Sequence, residues 1–289
     1  MNPIDTSIKG QLNSKLSDLE THLDADVISY SGPILYGLES TFLTVIEQLA
    51  NDANKKNKLF IILTTDGGSA EVVERCVNIV RHHYEEVNFI VPDYAYSSGT
   101  IFCMSGDSIL MDYYSVLGPI DPQVQNKEGK LVAALGYLDK INELLAKASN
   151  NTLSNAEFLI LKDFDLAELR GYEQAKDLTI DLLKSWLVKY KFKNWTTHRT
   201  DVNKLNQPVT LEEKEQRAEE IAGHLSSNTE WKTHGRPINI DTLKKLRLEI
   251  EDYSKDNNKR PLIRSYYDLL TDYTMTNKYR NFTHSRLFI

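Results

Sequence analysis

Two short turns contain the residues whose types and spacing could support chemistry. The first, Thr65-Asp-Gly-Gly-Ser-Ala70, directly follows an apolar run and opens a predicted helix. Glycines at this place let backbone amides approach a bound group, and the helix N-terminus adds positive potential. Phosphate-binding loops use the same physics, but neither Gly-X-Gly-X-X-Gly nor a Gly-Lys-Ser/Thr ending is present. Gly67 and Gly68 therefore indicate either a site for such a group or only a tight strand-to-helix turn.

The second turn, Tyr96-Ser-Ser-Gly-Thr100, leads from another apolar run into a short helix. A serine on such a turn projects outward, and the amide of the following residue is free to donate a hydrogen bond. Ser97 and the amide of Ser98 could therefore serve as a nucleophile and an oxyanion donor, although Ser-Ser-Gly-Thr is also a common helix N-cap. Because the carboxyl ends of parallel strands meet at one edge of a sheet, both turns can converge on one crevice.

Two further segments carry polar side chains with more than one reading. Gly118-Pro-Ile-Asp-Pro-Gln123 is a rigid turn in which Asp121 either belongs to a site or is only a turn residue. His234-Gly-Arg236 could place an imidazole in a site as a base, or a guanidinium on a substrate carboxylate. For His234 and Arg236, a structural or substrate-orienting role is the favoured interpretation.

Strands and helices alternate over the first half of the chain. Apolar runs predict strands at residues 26–31, 58–64, 87–91 and 108–111, with helices at 38–53, 69–84 and 100–106 between them. This alternation predicts parallel pairing through right-handed crossovers. From about residue 131 the pattern is helical, with helices predicted at 132–148, 154–190, 210–226 and 241–247. The expected organisation is an N-terminal helix at 1–24, an α/β core at 25–150 and a helical C-terminal region at 151–289.

Composition and charge narrow the class of protein. The 289 residues are 41% hydrophobic, an ordinary value for a globular protein. Their net charge of −7 gives no sign of the basic surface that binds nucleic acid, so no nucleic-acid partner is expected. Cys76 and Cys103 fall in predicted buried helices and fit core positions in a reducing compartment. No apolar run approaches the roughly 18 residues of a membrane helix, so a cytoplasmic protein without an integral membrane segment is expected. His82 and His83 face different sides of a helix, and no metal site is predicted.

Four segments in order resemble one known family. Gly67-Gly68, Ser97-Ser-Gly-Thr100, Ser115-Val-Leu-Gly-Pro-Ile-Asp-Pro122 and His234-Gly-Arg-Pro-Ile238 are similar to the Clp/crotonase-fold serine peptidases. Among these, the chain most resembles the serine dehydrogenase proteinase family, over about residues 25–250. The resemblance implies an α/β fold with a Clp/crotonase-type spiral ββα core and a helical C-terminal extension. It also implies a serine peptidase without a cofactor, a protein or peptide substrate, and a homo-oligomer.

The resemblance assigns a role to each matching residue. Ser97 aligns with the nucleophile, and the amides of Gly68 and Ser98 align with the oxyanion hole, with Gly67 in support. In a Clp-type triad a histidine would follow the nucleophile by about 25 residues, where this chain has Ile120, Asp121 and Pro122.

A lysine base is the alternative that the resemblance offers. Stomatin-cleaving relatives use a Ser-Lys dyad with the lysine about 40 residues downstream, and Lys140 lies at that spacing. Burial among apolar neighbours would let Lys140 accept the serine proton, with Lys127 and Lys130 as substitutes. Two other functions stay open, namely a non-catalytic scaffold of the same fold and a crotonase-like enzyme that acts on acyl-thioesters.

Overall fold

A computed structural model describes residues 3–125, 131–199 and 202–289 of the chain. Its strands are β1 (Asp26–Ser31), β2 (Lys58–Thr64), β3 (Glu86–Val91), β4 (Tyr94–Ala95), β5 (Ser108–Met111), β6 (Val116–Leu117), β7 (Gln123–Gln125), β8 (Leu131–Ala133), β9 (Ile238–Asn239), β10 (Glu251–Asp252) and β11 (Phe282–His284).

The described helices are α1 (Pro3–Leu23), α2 (Leu38–Ala50), α3 (Ala70–His83), α4 (Ser98–Met104), α5 (Ala134–Ser149), α6 (Asn155–Lys162), α7 (Leu166–Trp186), α8 (Leu211–Leu225), α9 (Asn228–Trp231), α10 (Ile240–Lys245) and α11 (Lys259–Thr276). A π-helical segment, Leu187–Lys191, continues α7, and a short 3₁₀ helix covers Tyr253–Lys255.

A six-stranded sheet in the order β10-β5-β3-β2-β1-β11 forms the centre of the fold. All of its pairings are parallel except the one between β1 and β11. The predicted α/β class with a mostly parallel sheet is therefore confirmed. The four predicted strands are β1, β2, β3 and β5, each within one residue of the expected bounds.

Both faces of the sheet are covered by helices, which explains why β2 is a continuous apolar run. Successive side chains of a strand point to opposite faces. Ile61 and Leu63 pack into a core formed largely with α2, α3, α4, α7 and α8. Phe60 and Ile62 pack into a second core with α1 and α11. The expected N-terminal amphipathic helix thus buries its apolar face against the sheet of its own chain.

The C-terminal region contributes strands as well as helices. It supplies β10 and β11, which form the two edges of the central sheet, and β9, which pairs antiparallel with β6. The expectation of a helical region at 151–289 did not include these strands. Segments of two or three residues are too short to show an alternating pattern in the sequence.

The long helix predicted at 154–190 is interrupted. The capping box at Ser154 and Glu157 is present and opens α6, but α6 ends at Lys162. Asp165 then caps a new helix, because its side chain accepts hydrogen bonds from the amides of Ala167 and Glu168. The predicted single helix was therefore wrong in this detail.

His284 gives the fold a pH-dependent stability. Its ring is fully buried on β11, with Tyr266 Oη 2.8 Å from Nδ1 and Asn13 Oδ1 2.8 Å from Nε2. Burial lowers the pKa of His284 from 6.5 to about 4. Between these values the unfolded chain binds a proton that the folded chain does not, so the free energy of unfolding should fall as the pH decreases.

We expect His284→Gln to flatten this dependence, which denaturant titrations at pH 7 and pH 5 would measure. The decrease for the unmodified chain should be at most about 3 kcal/mol from this residue. His22→Gln, at an exposed position of α1, is the control and should leave the dependence unchanged. An unaltered pH dependence in His284→Gln would contradict the assignment.

Within the ranges that the structure describes, no helix is both long enough and apolar enough to cross a bilayer.

Candidate active site

The two glycine- and serine-containing turns lie side by side at the carboxyl ends of β2 and β3. The amide of Thr65 donates to the carbonyl oxygen of Tyr94 at 3.2 Å, and the amide of Tyr96 donates to the carbonyl oxygen of Thr65 at 2.9 Å. Adjacent parallel strands bring the segments that follow them to the same edge of a sheet, as the sequence predicted. These two hydrogen bonds hold the turns together at that edge.

Ser97 has an unusual backbone conformation for a residue with a side chain. Its φ and ψ are 54° and −120°, and it directly precedes α4. It occupies the position of an N-cap, but its side chain makes no capping hydrogen bond. A serine on a sharp, strained strand-to-helix turn is the arrangement that exposes a nucleophile in many hydrolases. The alternative of an ordinary capping serine does not describe this residue.

Gly67 and Gly68 occupy positions that no larger residue could take. Gly67 has a φ of 103°, and a Cβ there would lie 2.7 Å from the Cβ of Ser97. Gly68 has a φ of 151°, and a Cβ there would lie 2.0 Å from the carbonyl oxygen of Ile34. The lack of a side chain at both glycines therefore lets Ile34 and Ser97 lie close to the backbone of this turn. Gly67 is in direct contact with Ser97.

The hydrogen bonds of these turns leave the amides of Gly68 and Ser98 available. Gly67 donates to Thr65 Oγ1 at 3.0 Å, and Ser69 donates to the carbonyl oxygen of Ile34 at 2.9 Å. Within the described residues, the amides of Gly68 and Ser98 have no protein acceptor. Free backbone amides beside a serine are the donors from which oxyanion holes are built.

Thr100 connects the serine turn to the segment at 118–123. Its Oγ1 lies 2.9 Å from the carbonyl oxygens of Ala95 and Gly118, and accepts a hydrogen bond from the amide of Gly118 at 3.0 Å. A Cβ at Gly118 would lie 2.4 Å from a ring carbon of Tyr96. The third segment that the sequence singled out therefore packs directly against the residue before Ser97.

Asp121 and His234 form a hydrogen-bonded pair close to this point. His234 Nδ1 lies 2.9 Å from Asp121 Oδ1. Antiparallel pairing of Leu117 with Ile238 brings the two segments together. The side chain of Asp121 is 2% exposed and that of His234 is 18% exposed. A buried carboxylate on Nδ1 fixes the imidazole so that Nε2 is left for other contacts.

The environment of Asp121 favours a positively charged partner. Its second oxygen, Oδ2, is buried and has no hydrogen-bond partner among the described atoms. A buried carboxylate with an unsatisfied oxygen is costly, and a cationic neighbour offsets that cost. The hydrogen bond to Oδ1 therefore fixes the orientation of the His234 ring. The sequence named both residues, but they are 113 positions apart in the chain, and nothing in it indicated that they touch.

Lys140 lies in a different setting from the one expected. Its side chain is 51% exposed, and its Nζ lies 2.9 Å from Glu143 Oε2. Ile141 and Leu144 of the same helix are buried, yet half of the Lys140 side chain stays in contact with water. The structure therefore does not surround Lys140 with apolar neighbours. The substitutes Lys127 and Lys130 fall outside the described residues.

Arg236 and Cys103 complete the predicted set. Arg236 is exposed, and its amide donates to the carbonyl oxygen of Thr233 at 3.2 Å within the turn after α9. Cys103 is fully buried in α4, and burial raises the pKa of its thiol well above the usual range. A protonated, enclosed thiol is a core group, as the sequence predicted.

Burial also affects acidic groups at this edge of the sheet. It raises the pKa of Asp93, against the opposing effect of the Arg264 guanidinium, and it raises the pKa values of Tyr94 and Tyr96. The tyrosines next to Ser97 are therefore neutral hydroxyl groups at physiological pH. In the parts of the chain that are described, no group of three or more His, Cys, Asp or Glu side chains is placed to hold a metal ion.

The mostly parallel sheet, with both turns at its strand ends, defines an α/β protein with a candidate site at that edge of the sheet. The family model described as ClpP-like SDH-type serine proteinase matches residues 43–216. The chain belongs to this family. The resemblance found in the sequence motifs is thereby confirmed.

Relatives from an archaeon match parts of the chain. The uncharacterised protein MJ1495 of Methanocaldococcus jannaschii is 29% identical over 213 residues, which are 74% of this chain and 56% of that protein. MJ0137 of the same organism is 32% identical over 136 residues, 44% of this chain and 46% of that protein. The chain therefore spans about half the length of the curated relatives it matches.

Two solved structures of the 1510-N membrane-bound stomatin-specific protease are also similar. A lysine-to-alanine mutant in complex with a substrate peptide is 18% identical, with a TM-score of 0.35 and coverage of 56% of this chain and 57% of that chain. A serine-to-alanine mutant is 22% identical, with a TM-score of 0.32 and coverage of 42% of this chain and 58% of that chain.

Proposed function

We propose that this chain is a serine peptidase that hydrolyses peptide bonds through a covalent intermediate on Ser97. The observation that carries the proposal is the contact of the strained Ser97 turn with Gly67, next to two amides without acceptors. Membership of a serine proteinase family supports the same reaction. In this proposal the amides of Gly68 and Ser98 donate hydrogen bonds to the oxyanion.

His234 is the base that the geometry supports best. In the first step, its Nε2 removes the proton of the Ser97 hydroxyl while Oγ forms a bond to the substrate carbonyl carbon. Asp121 accepts the Nδ1–H hydrogen bond and stabilises the imidazolium that results. Return of the proton to the leaving nitrogen breaks the peptide bond and releases the amine. Water then attacks the acyl group on Ser97 by the same sequence of proton transfers.

A Ser97–Lys140 dyad is the second candidate. It would require Lys140 to leave Glu143 and to lose most of its exposure to water, since a solvated ammonium group does not accept a proton. Its support is the spacing of about forty residues from the serine. His234, in contrast, is mostly buried and already has a carboxylate on its Nδ1.

Protein or peptide chains are the proposed substrates, and a homo-oligomer is the proposed state of assembly. Exposed apolar side chains on α6 support assembly, because monomeric proteins rarely leave such groups together in water. They are Phe158, Leu159 and Ile160, each more than half exposed. Sedimentation velocity of the purified chain would measure the state directly.

Labelling with a fluorophosphonate tests the proposed chemistry. The probe phosphonylates serines that are activated by a base, so peptide mapping should place the adduct on Ser97. Absence of an adduct, together with absence of hydrolysis of casein or unstructured peptides, would favour the non-catalytic scaffold. Hydrolysis of acyl-thioesters without peptide cleavage would favour the crotonase-like alternative.

A further inference from the structure

A pocket of about 420 Å³, lined by uncharged side chains, lies next to the segment that supports the glycine turn. None of its lining side chains is charged, and five are aromatic. Volumes of this size and lining of this kind are typical of pockets that hold organic groups. The lining residues are Tyr30, Pro33, Leu35, Tyr36, Gly37, Leu38, Thr41, Tyr279, Asn281, Phe282, Thr283, Phe288 and Ile289.

The pocket is connected to the candidate active site through one residue. The amide of Ile34 donates to the carbonyl oxygen of Gly67 at 2.8 Å. The amide of Ser69 donates to the carbonyl oxygen of Ile34 at 2.9 Å. Ile34 therefore holds Gly68 from one side while Ser97 packs against Gly67 on the other. Leu35, the neighbour of Ile34, is a wall of the pocket.

This arrangement sets how far the pocket lies from the reacting carbonyl. Paired strands run about 4.8 Å apart, and an extended peptide advances about 3.3 Å per residue. A substrate carbonyl on the amides of Gly68 and Ser98 would therefore place a side chain at the pocket within roughly two or three residues of the cleaved bond.

Two of the side chains that line the pocket are largely exposed to water. Tyr36 is 76% exposed and Leu35 is 52% exposed. Exposed apolar side chains such as these become more stable when a ligand covers them. A charged group would find no oppositely charged side chain among the lining residues.

Residues near the end of the chain form the opposite wall, and the sheet fixes their position. Phe282 pairs with Ser31 through the antiparallel contact of β11 with β1. A Cβ at Gly32 would lie 2.8 Å from the Cα of Asn281, so the two segments are in close contact. Phe282 and Thr283 of this wall therefore belong to the folded sheet.

We propose that this pocket binds an apolar side chain, aromatic or branched, of a peptide substrate, and that residues 279–289 act with Leu35 and Tyr36 as its specificity-determining wall. The proposal rests on the peptidase function proposed above. It assigns the selection of the substrate to a surface that contains none of the residues placed in the reaction.

A binding experiment separates this proposal from catalysis. Ser97→Ala chains would be titrated with a blocked seven-residue peptide that contains one phenylalanine, and with its counterpart that has serine instead. Thr41→Trp, at a half-buried lining position on α2, fills the pocket. Thr44→Trp is the matched control on the same helix, because Thr44 is exposed and does not line the pocket.

We expect Thr41→Trp to weaken binding of the phenylalanine peptide by roughly tenfold to a hundredfold, as loss of a buried aromatic group would. Binding of the serine peptide, and the rate of fluorophosphonate labelling in chains that keep Ser97, should not change. Leu35→Asp should weaken the same peptide, whereas Leu43→Asp, exposed on α2 outside the pocket, should not.

Equal affinity for the two peptides, or equal effects of Thr41→Trp and Thr44→Trp, would overturn the proposal. If instead the proposed peptidase function is wrong, the binding and labelling results would differ from these. In that case the phenylalanine peptide would still bind in a manner sensitive to Thr41→Trp, but the chain would neither cleave it nor be labelled on Ser97.

Discussion

Replacing Ser97 by alanine is expected to lower kcat/KM for peptide hydrolysis by about 10⁴-fold to 10⁶-fold, the range in which loss of an activated serine nucleophile falls. The substitution removes the atom that forms the acyl bond, while the amides of Gly68 and Ser98 stay in place. KM should change little, because the hydroxyl contributes to the reaction more than to ground-state binding. Initial rates with a quenched fluorescent peptide would measure both constants.

Ser98→Ala is the matched control for this experiment. Ser98 is adjacent in the chain, and its hydroxyl is buried without a hydrogen-bond partner among the described atoms. Alanine keeps the backbone amide that is assigned to the oxyanion, so activity should stay within a few-fold of the unmodified chain. Full peptidase activity in Ser97→Ala would contradict the nucleophile. Full thioesterase activity there would point to the crotonase-like reaction.

Replacing His234 by alanine is expected to lower kcat/KM by about 10³-fold or more, whereas Lys140→Ala should change it by less than about threefold. The difference follows from their surroundings. His234 is held by a buried carboxylate, whereas Lys140 is half exposed and paired with Glu143. Exposed ion pairs of this kind contribute little to stability, so the lysine variant should also fold normally.

Asp121→Asn extends this comparison, because an amide at this position would favour the wrong tautomer of His234. Activity should fall by a similar order, and circular dichroism would establish that the chain is still folded. If Lys140→Ala abolished activity and His234→Ala kept it, the base would be the lysine, and the Asp121–His234 pair would have only a structural role. Fluorophosphonate should label Ser97 more slowly in His234→Ala and Asp121→Asn, and at a nearly unchanged rate in Lys140→Ala.

Long apolar runs made most of the sheet predictable. Each of β1, β2, β3 and β5 has four to seven residues, all but one of them buried, so the runs stand out from their polar surroundings. The edge strands β10 and β11 were missed because two or three residues cannot form a recognisable pattern. The break before Asp165 was missed because helical periodicity continues across it, although an aspartate before a new helix is a known capping signal.

The serine and glycine turns could be found from local chemistry, because their spacing after apolar runs is enough to place them at one sheet edge. The partner of His234 could not be found in this way. Its contact with Asp121 depends on the pairing of β6 with β9, two-residue strands far apart in the chain. The helical face of Lys140 could have been read more closely, since Glu143 lies three residues away on the same face.

The backbone at Ser97 has a consequence for how such a chain can change over time. Residues held in sparsely populated φ/ψ regions cost about 1–3 kcal/mol of folding stability. With a φ of 54°, a glycine at this position would relieve that cost, yet it would delete the proposed nucleophile. Selection for folding stability and selection for catalytic activity therefore oppose each other at Ser97. A descendant that no longer needed the reaction would gain stability by abandoning the serine.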